Sequence, residues 1–279
     1  MRRGCQVIFQ HLSLNDPILA DAFRHDEVPY NLVYRVLDSD GALKWKAAAG
    51  RLIFACTPGW NGWLWVSRTL PRADRTVYFR ALIDRLADNL LLPGVTGEPE
   101  TAEAFAQAYA AANNLICRPH MKLESYHCPA VRQPDQVEGG CRPAEARDLD
   151  IVAAFMAGFS EDAHGVAADA DSQRQAAAGL IGTGNLYLWE ADGAVVSMAN
   201  IAHRSPRHGR INAVYTSPER RNRGYAGALV ATLSEMLLRE GLTPMLYTDA
   251  ANPSSNRAYR KVGFIEKGSI LDIRFERTE

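Results

Sequence analysis

Residues 217–226 read SPERRNRGYA, and Arg220-Arg221-Asn222-Arg223 runs straight into Gly224. The run stands between an apolar, strand-like stretch (RINAVYTSP, 210–218) and a helical pattern. From Gly224 to Glu240, Leu229, Val230, Leu233, Met236 and Leu237 fall on one helical face. A helix start leaves backbone N–H groups unpaired and carries partial positive charge, so it is a ready anion site. Gly224 lets an anion approach the backbone closely, Ala226 keeps the second turn open, and Arg221 and Arg223 add charge where those donors point. The expected ligand is a diphosphate. The pattern is neither a GxxxxGK[ST] phosphate loop nor a GxGxxG dinucleotide fingerprint. A bare basic run also reads as a solvated helix start, so its surroundings must decide.

Those surroundings are an α/β chain of 279 residues, comfortable for two domains. At 47% hydrophobic and 23% charged it can bury real cores. A net charge of −1 provides no global field for nucleic acid or an anionic membrane, so any basic patch must be local. Cys5, Cys56, Cys117, Cys128 and Cys141 are odd in number, widely spaced and without CxxC, which argues against a disulfide framework or a zinc site and for reduced core thiols. MRRGCQVIFQHLSLND carries too short an apolar run for a signal peptide, and no stretch reaches a membrane span of about 18 residues. The expected location is the cytoplasm, with no metal, no membrane and no nucleic acid as partner.

PAVRQPDQVEGG (129–140) has the prolines and paired glycines of a linker and divides the expected domains at 1–128 and 141–279. Before it, 51–70 predicts two short strands about a Pro-Gly turn. Helices follow at 72–89 and 98–113, separated by a short strand in LLLPGVTG. LICRPHMKLESYHC predicts another strand. Trp45, Trp60, Trp63 and Trp65 crowd this half and are expected in a core or a domain seam, with a ligand-stacking surface as the alternative. After it come helices at 144–159 and 170–184 and a hairpin turning at Ala191-Asp192-Gly193. Next are the strand at 210–218, the helix from Gly224, a buried strand MLYTDA, a short helix opened by Asn252-Pro253, and a closing strand. The order predicts a mixed central sheet flanked by helices.

From Ile211 to Phe264 this second half resembles the acetyl-CoA-binding core of the GNAT N-acetyltransferase superfamily. Arg221-x-x-Gly224-x-Ala226 matches that family's pyrophosphate motif. Asn252, Ser255, Asn256, Tyr259, Gly263 and Phe264 match its second signature, in the right order and on the predicted elements. The resemblance is strong over about 190–275 and weaker from 141, and it looks most like a bacterial group with a long N-terminal extension. It implies a GNAT fold preceded by a smaller α/β domain, with acetyl-CoA as co-substrate. The implied activity is direct transfer of acetyl to a small-molecule or peptide amine by a monomer or homodimer. The first half, as hairpin, helix, strand, helix and strand, echoes the end of a GNAT fold without an Arg-x-x-Gly-x-Gly/Ala, which suggests a degenerate GNAT-like domain that does not bind CoA and instead shapes the substrate cleft.

By the resemblance, Val214, Tyr215 and Thr216 run beside the pantetheine arm, on a strand that splays from its neighbour through a bulge. The backbone N–H of Val214 or Tyr215 would polarise the thioester carbonyl. Arg221, Asn222, Arg223, Gly224, Tyr225 and Ala226 would hold the pyrophosphate. Tyr259 would protonate the departing thiolate, or else only pack against the pantetheine. Asn252, Asn256 and Ser255 are expected on the cofactor side, Asn252 chiefly as a helix cap, Asn256 at the pantetheine or the ribose-phosphate region, and Ser255 as a lesser candidate. The general base is open: Glu161 and Asp249 are candidates, each with a surface or capping role as the alternative. His203 and His208 lie in a basic loop that could meet a 3′-phosphate or an acidic substrate, or could simply be solvated. A CoA-binding protein without catalysis, and a nucleic-acid binder using Arg220–Arg223, are the competing readings.

Overall fold

The computed structural model describes residues 7–87 and 91–277. Cys5, the first residues of the N-terminus and the end of the helix expected over 72–89 lie outside the described residues. The chain divides into two compact units. The first takes residues up to Glu124 together with those from Gly268 onward, and the second takes Ser125–Lys267. Both are mixed α/β.

In the first unit, β1 (Phe9–His11) is followed by α1 (Pro17–Ala20), a 3-10 turn at Ala22–Asp26 and α2 (Leu32–Asp38). Then come β2 (Leu43–Ala47), β3 (Leu52–Cys56), β4 (Gly62–Val66), α3 (Arg72–Ala87), β5 (Gly94–Gly97) and α4 (Pro99–Asn113), leading into β6 (Leu115–His127). Strands β1 to β4 pair antiparallel in sequence order, and β4 runs parallel to β5. The β3–β4 register, Leu52 with Val66 through Ala55 with Trp63, is unbroken. Phe79, Leu82 and Leu86 of α3 and Phe105, Ala106 and Tyr109 of α4 pack on Phe54, Leu64 and Val95. Trp45 and Trp65 are buried in core, as expected for most of the tryptophans, whereas Trp60 at the hairpin tip is 73% exposed.

The second unit follows the same order. It contains β7 (Gly140–Pro143), a 3-10 turn at Ala146–Asp148, α5 (Leu149–His164), α6 (Ala170–Gly182), β8 (Leu186–Ala191) and β9 (Ala194–Arg204). It continues with β10 (His208–Thr216), a 3-10 turn at Pro218–Arg220, α7 (Tyr225–Arg239), β11 (Thr243–Asp249) and α8 (Pro253–Val262), and then enters β12 (Ile265–Arg277). Strands β7 to β10 pair antiparallel in sequence order and β10 is parallel to β11. The β8–β9 turn places Asp192 at φ +53° and Gly193 at φ +71°, the backbone that a two-residue hairpin of this twist requires. One face of the sheet carries Leu229, Leu233 and Leu237 of α7 against Ile201, Ile211 and Leu246. The other carries Val152, Ala153 and Phe155 of α5 and Ala177 of α6 against Leu186, Leu188, Met198 and Tyr215.

Two boundaries differ from the sequence reading. Residues 129–139 pack within the second unit: Val131 and Val137 lie against the α7 side of its core, Arg132 N–H donates to the Val262 carbonyl (2.8 Å), and Trp189 Nε1 donates to the Glu138 carbonyl (2.9 Å). The final strand, expected wholly in the second domain, enters the first unit, where Leu271–Arg274 pair antiparallel with Gly97–Gly94. Helix α5 also runs on to His164, where the sequence pattern stops at Phe159.

Candidate active site

The site is built where β10 and β11 part. Their parallel ladder pairs His208 with Thr243, Gly209 with Pro244 and Arg210 with Met245, yet β10 runs on to Thr216 and β11 to Asp249. On its other edge β10 is bulged. Asn212 opposes Asn200 and Tyr215 opposes Met198, so Ala213 and Val214 face Ala199 alone. Ala213 sits at φ +50°, a left-handed conformation that re-aims the following backbone N–H groups. Val214 packs toward α7 and Tyr215 toward α5. The Tyr215 ring is 5.3 Å from that of Phe155, and burial, followed by the Asp162 charge, raises its hydroxyl above the usual tyrosine value. The Tyr215 side chain is therefore committed to packing, and what it can offer a ligand in the cleft is backbone.

Beyond Thr216 the chain turns through Pro218–Arg220 and reaches Gly224, the N-cap of α7, at φ +85°. A β-carbon on Gly224 would stand 3.0 Å from Val137 Cγ2, so conformation and neighbour both call for glycine here. No side chain caps this helix. The N–H of Ala228 makes the bond to the Gly224 carbonyl, so the first-turn N–H groups from Tyr225 to Gly227 precede the intrahelical ladder. The Tyr225 side chain lies in the core, so it too contributes backbone. Asn222, at φ +63°, and Arg223 are exposed. Arg221 is engaged: its Nε donates to the Thr216 carbonyl (3.0 Å), it pairs with Asp162 of α5, and its guanidinium lies 5.5 Å from the Tyr215 ring centroid. The Thr216 hydroxyl shares a hydrogen bond with Ser197 (2.9 Å).

Helix α8 brings the second group. Asn252 caps it, accepting from the Ser255 N–H (3.2 Å) and the Ser254 hydroxyl (2.8 Å). Asn256 is buried, and its carbonyl oxygen accepts from the Thr248 hydroxyl, which fastens α8 to the end of β11. Tyr259 is half-buried, its ring 5.9 Å from that of Phe264. Burial pushes its hydroxyl up to about 12, so it is protonated throughout the neutral range. The hydroxyl has no hydrogen-bond partner among the described residues. Of the candidate bases, Asp249 accepts the Ala251 N–H (2.8 Å) as a turn cap, and Glu161 is exposed near the end of α5. His203 and His208 flank the β9–β10 turn. Sequence reading missed Asp162, Val137 and Gly158. A glycine inside the apolar helix at 149–164 was the one available signal among them.

Among the described residues no group of three or more His, Cys, Asp or Glu could hold a metal, and no helix is long and apolar enough to cross a membrane.

The arrangement is similar to known proteins at two levels. Residues 152–264 match the model of the acetyltransferase (GNAT) family. No curated protein sequence matches the chain. Among solved structures, a GNAT-family acetyltransferase from Colwellia psychrerythraea superposes with a TM-score of 0.56 at 16% identity, over 97% of this chain and 100% of that one. A GCN5-related N-acetyltransferase from Sphaerobacter thermophilus does so at 0.57 and 16%, over 98% and 96%. A tandem GNAT protein from the clavulanic acid biosynthesis pathway does so at 0.50 and 13%, over 97% and 98%. These likenesses show a shared fold along nearly the whole chain. The family match itself lies within the second unit, over residues 152–264.

Proposed function

We propose that the second unit binds acetyl-CoA and transfers its acetyl group directly to an amine. The reading rests above all on the parting of β10 from β11 beside the uncapped start of α7. That geometry offers free strand backbone for a pantetheine arm and helix N–H donors for a pyrophosphate. Arg223 adds charge at the same place, and Asn222 and Gly224 give the loop its positive-φ turns. Val214 or Tyr215 N–H would donate to the thioester oxygen and hold the oxyanion of the tetrahedral intermediate, a contribution of roughly 2.7–4 kcal/mol per donor in other acyl-transfer sites.

The amine's lone pair attacks the carbonyl carbon, a C–N bond forms and the C–S bond breaks. Tyr259 gives its proton to the departing sulfur. The proton lost by the amine leaves through water and in turn reprotonates Tyr259, so amine and acetyl-CoA become amide and free CoA. Asn252 and Asn256 act by fixing α8, and hence Tyr259, against β11. We read the first unit as a GNAT-like repeat without a CoA site of its own. Its matching strand β4 carries no bulge, and no Arg-x-x-Gly-x-Gly/Ala follows it.

Titration calorimetry with acetyl-CoA tests the site. Micromolar binding by the wild type, lost in Ala226→Glu with an unchanged melting temperature, is the expected result. No binding by the wild type overturns the reading. Binding without turnover across a panel of primary amines would make this a CoA-binding protein rather than an enzyme.

A further inference from the structure

The sheet face that α5 and α6 cover is apolar, built from Leu186, Leu188, Met198 and Tyr215. Asn200 and Asn212 interrupt it. Asn200 follows Met198 by two residues on β9, which places it on the same face, and it stands between Leu186 of β8 and Asn212 of β10 in the register. It is 4% exposed. Its Nδ2 donates to Asn212 Oδ1 (2.9 Å), but its own Oδ1 is buried and has no donor. A leucine or valine would satisfy this face as its neighbours do. A buried amide oxygen left unpaired is a standing penalty that only an incoming N–H or O–H removes.

The position is informative. Asn212 is half-buried and directly precedes Ala213, the positive-φ residue of the bulge, and so lies two residues before Val214. The amide pair thus adjoins the backbone at which the thioester is proposed to sit, on the α5 side of the strand.

We propose that the Asn200–Asn212 pair is the subsite for the acceptor's amino nitrogen, with Asn200 Oδ1 accepting one of its N–H bonds. This rests on the acetyl-transfer reading above and deepens it. An unpaired carbonyl oxygen repels carboxylates and phosphates and attracts N–H donors. Being neutral, it also orients an amine without the drawback of a carboxylate, which would favour the ammonium form and remove the lone pair needed for attack. The subsite therefore selects an uncharged primary amine.

The test uses n-propylamine as probe on the full chain. Side-chain amide resonances of Asn200 and Asn212 are followed by NMR as propylamine, and separately propionate, is added with CoA present. Shifts with propylamine alone are expected. Asn200→Leu, which fills the same space without the orphaned oxygen, should raise the propylamine KM about tenfold while kcat and acetyl-CoA affinity stay within about twofold. Asn200→Asp should move the acid limb of kcat to higher pH, because the new carboxylate holds the bound amine protonated. Unmoved resonances, or an unchanged KM in Asn200→Leu, overturn the subsite. If acetyl-CoA does not bind but propylamine still shifts the two amides, the transfer reading fails and the subsite stands. If Asn200→Leu does not fold, the wild-type resonances and the Asn200→Asp pH profile decide alone.

Discussion

The hydroxyl of Tyr215 on β10 occupies the space in which Gly158 of α5 would carry a side chain. Helix and strand meet there without a spacer, directly after the bulge. Gly158→Ala is expected to force one of them aside and to cost about 1–3 kcal/mol, as overpacking does elsewhere. Adding Tyr215→Phe should recover part of that loss, because the colliding oxygen is gone. Urea unfolding of both single variants and the double variant measures the coupling. An unaltered midpoint in Gly158→Ala would mean that α5 yields freely.

Asp162 holds Arg221 at the edge of the helix start. Both side chains are roughly half exposed, so the pair contributes only about 0–1 kcal/mol to stability. Its carboxylate nonetheless stands near where phosphates are proposed to bind. Asp162→Asn is expected to tighten acetyl-CoA binding about threefold at low salt, with the difference fading as the Debye length shortens. Equal affinities at low salt would show that the carboxylate does not reach the phosphates.

Tyr259 should separate chemistry from binding. General-acid contributions run to about a hundredfold or more, so Tyr259→Phe is expected to lower kcat by about that factor and leave acetyl-CoA affinity unchanged. Burial raises the hydroxyl to about 12, so it contributes no alkaline limb to kcat below about pH 11. The same shift favours the neutral form on folding. Its stability contribution is complete below the unfolded value near 10 and is lost as pH rises from there through the folded value. A kcat in Tyr259→Phe equal to wild type would assign the ring to packing alone.

Asp148 anchors the entrance to α5. It is 5% exposed and accepts two bonds from Arg142 (2.7 and 2.8 Å) and one from the Glu145 N–H (2.8 Å). The Arg142 hydrogen bonds, chiefly, hold its carboxyl below the usual aspartate range. Its stabilisation is therefore present above the ordinary aspartate pKa and is lost as pH falls through the depressed folded value. Asp148→Asn is expected to cost about 1–3 kcal/mol near neutral pH, since it leaves Glu190 as the one carboxylate bonded to Arg142. The gap from wild type should close in acid. A difference independent of pH would trace the loss to hydrogen-bond geometry rather than charge.

How far these features could be read from sequence follows from their range. The turn at Arg221–Gly224 and the α8 signature were legible because each is local: a helix stripe, a cap and a glycine specify them within about ten residues. The short helices at Pro17–Ala20 and Leu32–Asp38 were not, since four to seven residues show no usable period. Residues 129–139 read as a linker because composition cannot reveal two valines packed on a distant core, a backbone bond to Val262 and a carbonyl that accepts from the Trp189 indole. Asn200 and Asn212 gain meaning only through a strand register, and Asp162 only through a partner 59 residues away.

The pairing of β12 with β5 sets an order of assembly during synthesis. Residues 94–97 leave the ribosome early, but the strand that covers their edge is translated only after every residue of the second unit. Until then β5 keeps an open row of backbone donors and acceptors, the kind of edge that invites pairing with another chain. The first unit is made first and finished last, which gives chaperones and neighbouring nascent chains a defined interval in which to meet it.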